Sequence, residues 1–156
     1  MIKLLRIDDR LVHGQVALTW TPALGIDCLF VANDRVAKDE FLRMTMGLAK
    51  PAGAKLLIKS MADSVTYLND AKNQGQQLLV LVDSVKDAHL LVMGVSEIRS
   101  VNFGGIRMKA GAKTVSKALS FTENDIVLIR EMLAKGLELE ARQVPNDKKQ
   151  SIENLL

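Results

Sequence analysis

Short apolar runs recur along the chain: LLRI at 4–7, CLFVA at 28–32, KLLIK at 55–59, LLVLV at 78–82, SVNF at 100–103 and LELEA at 137–141. LLVLV is apolar at every position, the pattern of a strand covered on both faces in a parallel sheet. The segments between the runs carry the helical period instead. Ala37, Phe41, Met44 and Leu48 form one stripe; Met61, Val65, Leu68 and Ala71 a second; Val85, Ala88, Val92 and Val95 a third. Each stripe predicts a helix face packed on the sheet. Ser60, Ser84 and Thr122 each precede an aspartate by three positions, Asp63, Asp87 and Asp125, which predicts three side-chain helix caps. Aspartate is shorter than the Glu of a full capping box, so only the caps are expected. Pro22 and Gly25 close the first helical segment, and Lys50, Pro51 and Gly53 the second.

Alternating strands and helices with short connections predict an α/β fold: a single domain over 1–156, an open, doubly wound, mostly parallel sheet flanked by helices. Residues 102–113, NFGGIRMKAGAK, interrupt the alternation, and Gly104, Gly105 and Gly111 mark a loop. A short strand in KALSF is expected after it, giving the sheet an antiparallel edge. The tail VPNDKKQSIENLL reads as a turn followed by a short helix.

Composition narrows the class of protein. The chain has 156 residues, 48% of them hydrophobic and 25% charged, which is globular rather than disordered composition. No run approaches the roughly 20 apolar residues of a membrane span, and the start MIKLLRIDDR meets acids before a signal-like segment develops, so a cytoplasmic protein is expected. Cys28 is the single cysteine; its place in CLFVA predicts a buried structural thiol and excludes an intrachain disulfide. The net charge of +3 is spread among acids, with few aromatics, a poor match to a nucleic-acid binder. No metal-ligand spacing, no Walker A sequence and no G-x-G-x-x-G after the first strand occur, so no metal and no cofactor are expected.

Chemistry concentrates in RIDDRLVHGQV, residues 6–16, between the first strand and the first helix. In an open α/β sheet that loop lies at the carboxyl edge, where ligands bind. If the helix begins near His13, the amides of Gly14, Gln15 and Val16 point out of its N-terminus and suit an anion such as a phosphoryl group. Neutral imidazole is a nucleophile that forms covalent intermediates, so His13 is the candidate catalytic residue. Arg10 would grip a phosphoryl group, Asp9 would orient Arg10, Gly14 would let the backbone approach closely, and Gln15 would contribute at the helix start. Asp8 reads as a structural turn residue. Spacing alone leaves open that His13 is an ordinary helix-start residue bonded to the loop. Gly104 and Gly105, with Arg107 or Lys109, form either a second phosphate loop or a solvated turn. His89, Trp20 and Tyr67 lie in helical patterns and read as packing or satisfied helix residues.

RIDDRLVHGQV, followed by VANDRVAKDE, LLVLVDS, VNFGG, TVSKALSFTENDI and VPND, resembles the enzyme IIB proteins of the bacterial sugar phosphotransferase system, mannose/fructose/sorbose family, over essentially the whole chain. Val12 and Phe103 depart conservatively from the family pattern. The resemblance implies that His13 is phosphorylated on the ring nitrogen nearer the backbone and that Arg10 contacts the phosphoryl group. It implies a phosphorylated IIA protein or domain as donor. The phosphoryl group then goes to a sugar taken up through the membrane permease components IIC and IID, with which the protein associates peripherally. Two rivals stand beside it: a module that binds a sugar phosphate at the same loop without covalent chemistry, and a basic nucleic-acid or regulatory protein.

Overall fold

A computed structural model describes residues 1–156. Seven strands form one sheet: β1 (Ile2–Asp8), β2 (Cys28–Ala32), β3 (Lys55–Lys59), β4 (Leu78–Val82), β5 (Ser100–Gly105), β8 (Glu138–Ala141) and β9 (Gln150–Ser151), in the order β3-β2-β4-β1-β5-β8-β9. All neighbours pair in parallel except β8 and β9, which are antiparallel. The expected antiparallel edge therefore exists, but the tail supplies it. The strand expected in KALSF is β7 (Ser120–Phe121), which pairs with β6 (Lys113–Thr114) in a separate hairpin.

Helices cover both faces. On one lie a helical segment over 14–23, ending in α1 (Thr21–Ala23), then α2 (Asp34–Ala37) and α3 (Glu40–Ala49); their Val16, Trp20, Val36 and Met46 pack on Leu4, Leu29, Val31, Leu79 and Leu81. On the other lie α4 (Met61–Asn69), α5 (Val85–Gly94) and α6 (Glu123–Ala134), packed on Leu5, Ile7, Phe30, Val80 and Phe103. β4 is buried at every residue, as its unbroken apolar run requires. Cys28 is buried in β2, and burial pushes its thiol up to about 11, leaving it inert.

Ser60, Ser84 and Thr122 each accept the third-residue amide of their helix. At α6 the cap is more complete than the short aspartate side chain predicts, because the Asp125 carboxylate also receives the Thr122 amide at 3.0 Å. Two further caps, Asn33 for α2 and Asp39 for α3, separate helices that the pattern had joined. That break corrects the first predicted stripe. Asp39 restarts the helix, and α3 buries Met46 with Leu42 and Ala49 packed beside it, while Phe41, Met44 and Leu48 are 72%, 63% and 83% exposed. Apolar residues at 41, 42, 44, 46, 48 and 49 satisfy two helical phases equally, and packing against the sheet buries the second.

The face of α3 is directly testable. Met46→Ala is expected to destabilise the protein by about 2 kcal/mol, the usual cost of emptying a buried methionine site. Phe41→Ser is expected to change stability by less than about 0.5 kcal/mol. Urea unfolding of the two variants checks the assignment, and a reversed order would restore the first stripe.

Candidate functional site

The candidate site is built on one face of β1. Alternation along a strand sends Leu4, Arg6 and Asp8 to the side of the 14–23 helix, and Leu5 and Ile7 to the other core. Arg6 and Asp8 are both 0% exposed. Arg6 Nη2 donates to Asp8 Oδ2 at 3.2 Å and to the Gln143 carbonyl at 3.3 Å, while Nη1 donates to Asn102 Oδ1 at 2.6 Å and to the Arg142 carbonyl at 2.9 Å. Asn102 lies opposite Arg6 on β5, and Glu140 opposite Asn102 on β8. A polar row thus crosses the sheet: Asn102 Nδ2 donates to Glu140 Oε1 at 3.0 Å, and Arg142 closes on Glu140 at 2.8 and 3.0 Å. The Trp20 ring lies about 5 Å from both guanidinium groups and donates its Nε1 hydrogen to the Gln143 carbonyl at 3.0 Å.

Asp8 ends β1 and faces the loop. Its Oδ1 accepts the Arg10 amide at 3.1 Å, with Arg10 Nε 3.6 Å away, and its Oδ2 lies 3.0 Å from His13 Nε2. Burial raises the carboxyl group's affinity for a proton, but the hydrogen bonds from His13 and the Arg10 amide and the charge of Arg6 outweigh it, so its pKa falls below the ordinary aspartate value. Asp8 is therefore an anion near neutral pH. A carboxylate can only accept, so the hydrogen of neutral His13 sits on Nε2 and the lone pair on Nδ1. Nδ1 has no hydrogen-bond partner in the chain, and the ring is 16% exposed.

The loop is held from below. Leu11 and Val12 are buried in the smaller core, and the Leu11 amide donates to the Asp8 carbonyl at 2.9 Å. Leu11 is the one non-glycine residue with positive φ, at 55°, a conformation that packing of its side chain must sustain. His13 sits immediately before the helix, its carbonyl accepting the first helical bond from Ala17 at 3.0 Å. The amides of Gly14, Gln15 and Val16 donate to nothing in the chain, as the sequence predicts for a helix start. The helix then widens into a π turn over Val16–Trp20. A methyl group on Gly14 would meet nothing within 4 Å, so the space above it is open.

Three sequence expectations change. Asp9 does not orient Arg10; its Oδ2 accepts from the amide and Nε of Arg107, at 2.8 and 3.0 Å, and Asp8 takes the role beside Arg10. Asp8 is a strand residue whose side chain points into the polar row, rather than a turn residue. Gly104 and Gly105 are not a solvated turn: they finish β5, and Gly104 lies directly beneath the Arg6 guanidinium, which a Cβ would overlap. Sequence reasoning missed Arg6, Asn102, Glu140 and Arg142. The signal was there in the charged or amide residues at alternate positions of otherwise apolar strands. His89 lies 3.7 Å from Glu131 between α5 and α6, away from the site.

The site also occupies the topological switch point. β1 and β4 are neighbours, and their outgoing helices leave on opposite faces of the sheet, which opens a crevice at their carboxyl ends. Asp83, just past β4, accepts from Asn33 at 2.8 Å there. Nearby Asp87 is raised to about 6, first by burial and then by the charges of Asp83 and Asp34.

Comparison with known proteins supplies a family. The profile of the PTS system sorbose subfamily IIB component matches residues 2–156. The chain is 35% identical over 156 residues to the PTS system mannose-specific EIIAB component of Escherichia coli (strain K12), covering 100% of this chain and 48% of that protein. It thus spans about half the length of that relative. It is 31% identical over 147 residues to the PTS system sorbose-specific EIIB component of Lacticaseibacillus casei, covering 94% of this chain and 90% of that one. The crystal structure of the IIBSor domain of the sorbose permease from Klebsiella pneumoniae superimposes with a TM-score of 0.94 at 31% identity, over 99% of this chain and 95% of that domain.

Gly104→Ala is expected to cost about 3 kcal/mol, because the methyl group displaces a buried guanidinium held by four hydrogen bonds. Chemical denaturation measures it, and a cost below about 0.5 kcal/mol would mean that the pair relaxes freely. The Asp87 carboxyl group binds a proton more tightly folded than unfolded, so its ionisation weakens the fold as pH rises from about 4 to 6 and the penalty persists above that. Asp87→Asn is expected to stabilise the protein by about 1 kcal/mol at pH 7.5, a value discounted for partial exposure, and to do nothing at pH 4. Unfolding midpoints of both proteins at the two pH values test the sign.

Proposed function

Because this chain belongs to the sorbose-subfamily IIB components of the phosphotransferase system, we propose that it is a phosphocarrier in which Nδ1 of His13 receives a phosphoryl group from a phosphorylated IIA protein or domain. It then passes the group to a sugar during uptake through the membrane components IIC and IID, working at the cytoplasmic face of that permease. The observation that carries the reading is the contact between Asp8 and His13 Nε2 at 3.0 Å. It favours the tautomer with hydrogen on Nε2 and so supports Nδ1 as the nucleophile, the nitrogen implied by the resemblance.

The chemistry follows from the neighbours. The Nδ1 lone pair attacks phosphorus, the bond to the donor breaks, and its electron pair leaves with the donor. Positive charge builds on the ring as the N–P bond forms. Asp8 is already ionised and placed to balance it, and the Nε2 hydrogen stays where it is. The transferring oxygens meet the Arg10 guanidinium, half exposed, and the unpaired amides of Gly14, Gln15 and Val16. Open space above Gly14 admits the incoming group. Asp9 acts at a distance, by holding Arg107 at the rim of the site. The sugar is left unassigned, since the relatives carry the names of different sugars.

No helix is long and apolar enough to cross a membrane, so delivery depends on surface contact with the permease. Those contacts must be brief, because tight binding to either partner would slow turnover.

Incubation with phosphoenolpyruvate, the general phosphotransferase proteins and the matching IIA tests the assignment. Wild-type protein is expected to gain acid-labile phosphate with a nitrogen-15 spectrum of an Nδ1-substituted imidazole, and His13→Ala to gain none. Arg10→Ala is expected to slow transfer at least about tenfold, equivalent to about 1.4 kcal/mol in the transition state. Normal labelling of His13→Ala, or phosphate on Nε2, would refute the reading.

A further inference from the structure

Positive charge is concentrated in one part of this chain. Between Glu97 and Glu123 there is no acidic residue, and the exposed stretch that follows β5 and runs through the β6–β7 hairpin carries Arg107, Lys109, Lys113 and Lys117. These charges exceed the net +3 of the whole chain, so the remainder is slightly acidic. Asp9 pairs with Arg107 at 3.0 Å, whereas the ammonium groups of Lys109, Lys113 and Lys117 have neither a carboxylate nor a hydrogen-bond partner in the chain.

The stretch has a fixed base and an uncharged tip. At the base, the Ile106 amide donates to the Ala118 carbonyl at 2.9 Å and the Ser120 amide to the Ile106 carbonyl at 3.1 Å, while Leu119 and Phe121 are buried and Phe121 packs edge-on against Phe103. The tip is a tight turn: the Ala112 amide donates to the Lys109 carbonyl at 3.0 Å, and Gly111 takes a φ of 77°, which favours a residue without Cβ. Ala110 and Gly111 thus stand exposed between Lys109 and Lys113, with Met108, 62% exposed, beside them. An apolar tip rimmed by ammonium groups fits a surface that is anionic outside and apolar just beneath. Lysine is a hydrated point charge rather than a planar fork, so three of them without fixed partners suit a diffuse field better than a set of matched carboxylates. The stretch exposes no aromatic ring on which a base could stack, which separates it from a nucleic-acid face.

We propose that this stretch is a lipid-binding surface: Lys109, Lys113 and Lys117 rest on the anionic headgroups of a bilayer while Met108 and Ala110 enter the headgroup layer. The contact goes beyond the phosphocarrier reading, because it needs neither the permease nor phosphate on His13. Its place in the fold gives it a use. Arg107 ties the stretch to Asp9 in the His13 loop, and Arg107, Met108 and Lys109 border a crevice that Asp9 and Asp83 also line. Lipid contact there holds the carboxyl edge of the sheet, and His13 with it, close to the membrane. Binding built on a few exposed charges is weak and salt-sensitive, so it concentrates the protein at a bilayer without slowing its release.

Sedimentation with vesicles of phosphatidylcholine, alone or mixed in equal parts with phosphatidylglycerol, tests the surface. The wild-type protein is expected to bind the mixed vesicles saturably at low ionic strength, to leave them in about 0.5 M salt, and to ignore pure phosphatidylcholine. Lys109→Gln, Lys113→Gln and Lys117→Gln combined are expected to weaken binding roughly a hundredfold, from about fivefold for each charge. Lys38→Gln, Lys72→Gln and Lys86→Gln combined remove the same charge from exposed positions elsewhere and are expected to leave binding nearly unchanged. Met108→Ser is expected to weaken it severalfold. Equal binding to both kinds of vesicle, binding to neither, or an equal loss in the two triple variants overturns the proposal. So does a hairpin variant that binds vesicles normally but takes phosphate slowly from the IIA donor, which assigns the cations to an acidic protein partner instead. His13→Ala is expected to bind vesicles as the wild type does, so failure of the lipid surface and failure of the phosphocarrier reading are seen in separate assays.

Discussion

The ion pair between Arg6 and Asp8, two positions apart on one face of the central strand, is the constraint on which the candidate site depends. Both groups are fully buried, and a buried charge is tolerated only when paired and hydrogen-bonded. The rest of the polar row answers that demand. Asn102 and Glu140 come from the register of β5 and β8, the carbonyls of Arg142 and Gln143 bring the tail segment over the sheet, and Gly104 is small because the guanidinium occupies the space of its side chain. A single arginine in a strand thus dictates residues from three strands and one loop.

The same pair sets the chemistry. The hydrogen bonds from His13 and the Arg10 amide and the charge of Arg6 keep Asp8 ionised despite its burial, and an ionised Asp8 in turn favours hydrogen on Nε2 of His13. Between Asp8 and His13 the chain turns through Leu11 at positive φ, with its side chain locked in the apolar core. Local strain of this kind persists only where packing over-determines it. The consequence is a histidine placed by the core rather than by a mobile loop.

The sequence made the frame legible because its strands are short, apolar and clearly bounded: CLFVA, KLLIK and LLVLV coincide with β2, β3 and β4. It also placed His13 at a helix start on the carboxyl edge. It failed where a pattern was degenerate or a contact was distant. The phase of α3 could not be read, since two apolar stripes lie one position apart and only packing on the sheet separates them. Asp8 and Asp9 are identical neighbours, and only strand alternation separates the one buried against His13 from the one that holds Arg107. The role of Gly104 required knowing that Arg6, far away in the chain, lies over it. Strand alternation applied to LLRIDD and SVNFGG together could have exposed the polar row; composition and spacing could not.

Division of labour among the cations follows from burial. Arg6 is spent on Asp8 and the tail; Arg10 is half exposed and holds Asp8 loosely, which leaves its guanidinium free for the proposed phosphoryl contact. In the proposed phosphocarrier role, the fixed charge of buried Arg6 and Asp8 and the adaptable charge of Arg10 suit a histidine that is both charged with phosphate and discharged. A rigid base keeps the ring oriented through both half-reactions without reorganisation, while a cation that is free to swing can follow the phosphoryl group from one side of Nδ1 to the other. Replacing the buried arginine would then disturb ring orientation and fold together, whereas replacing the exposed one would act on transfer with the fold intact.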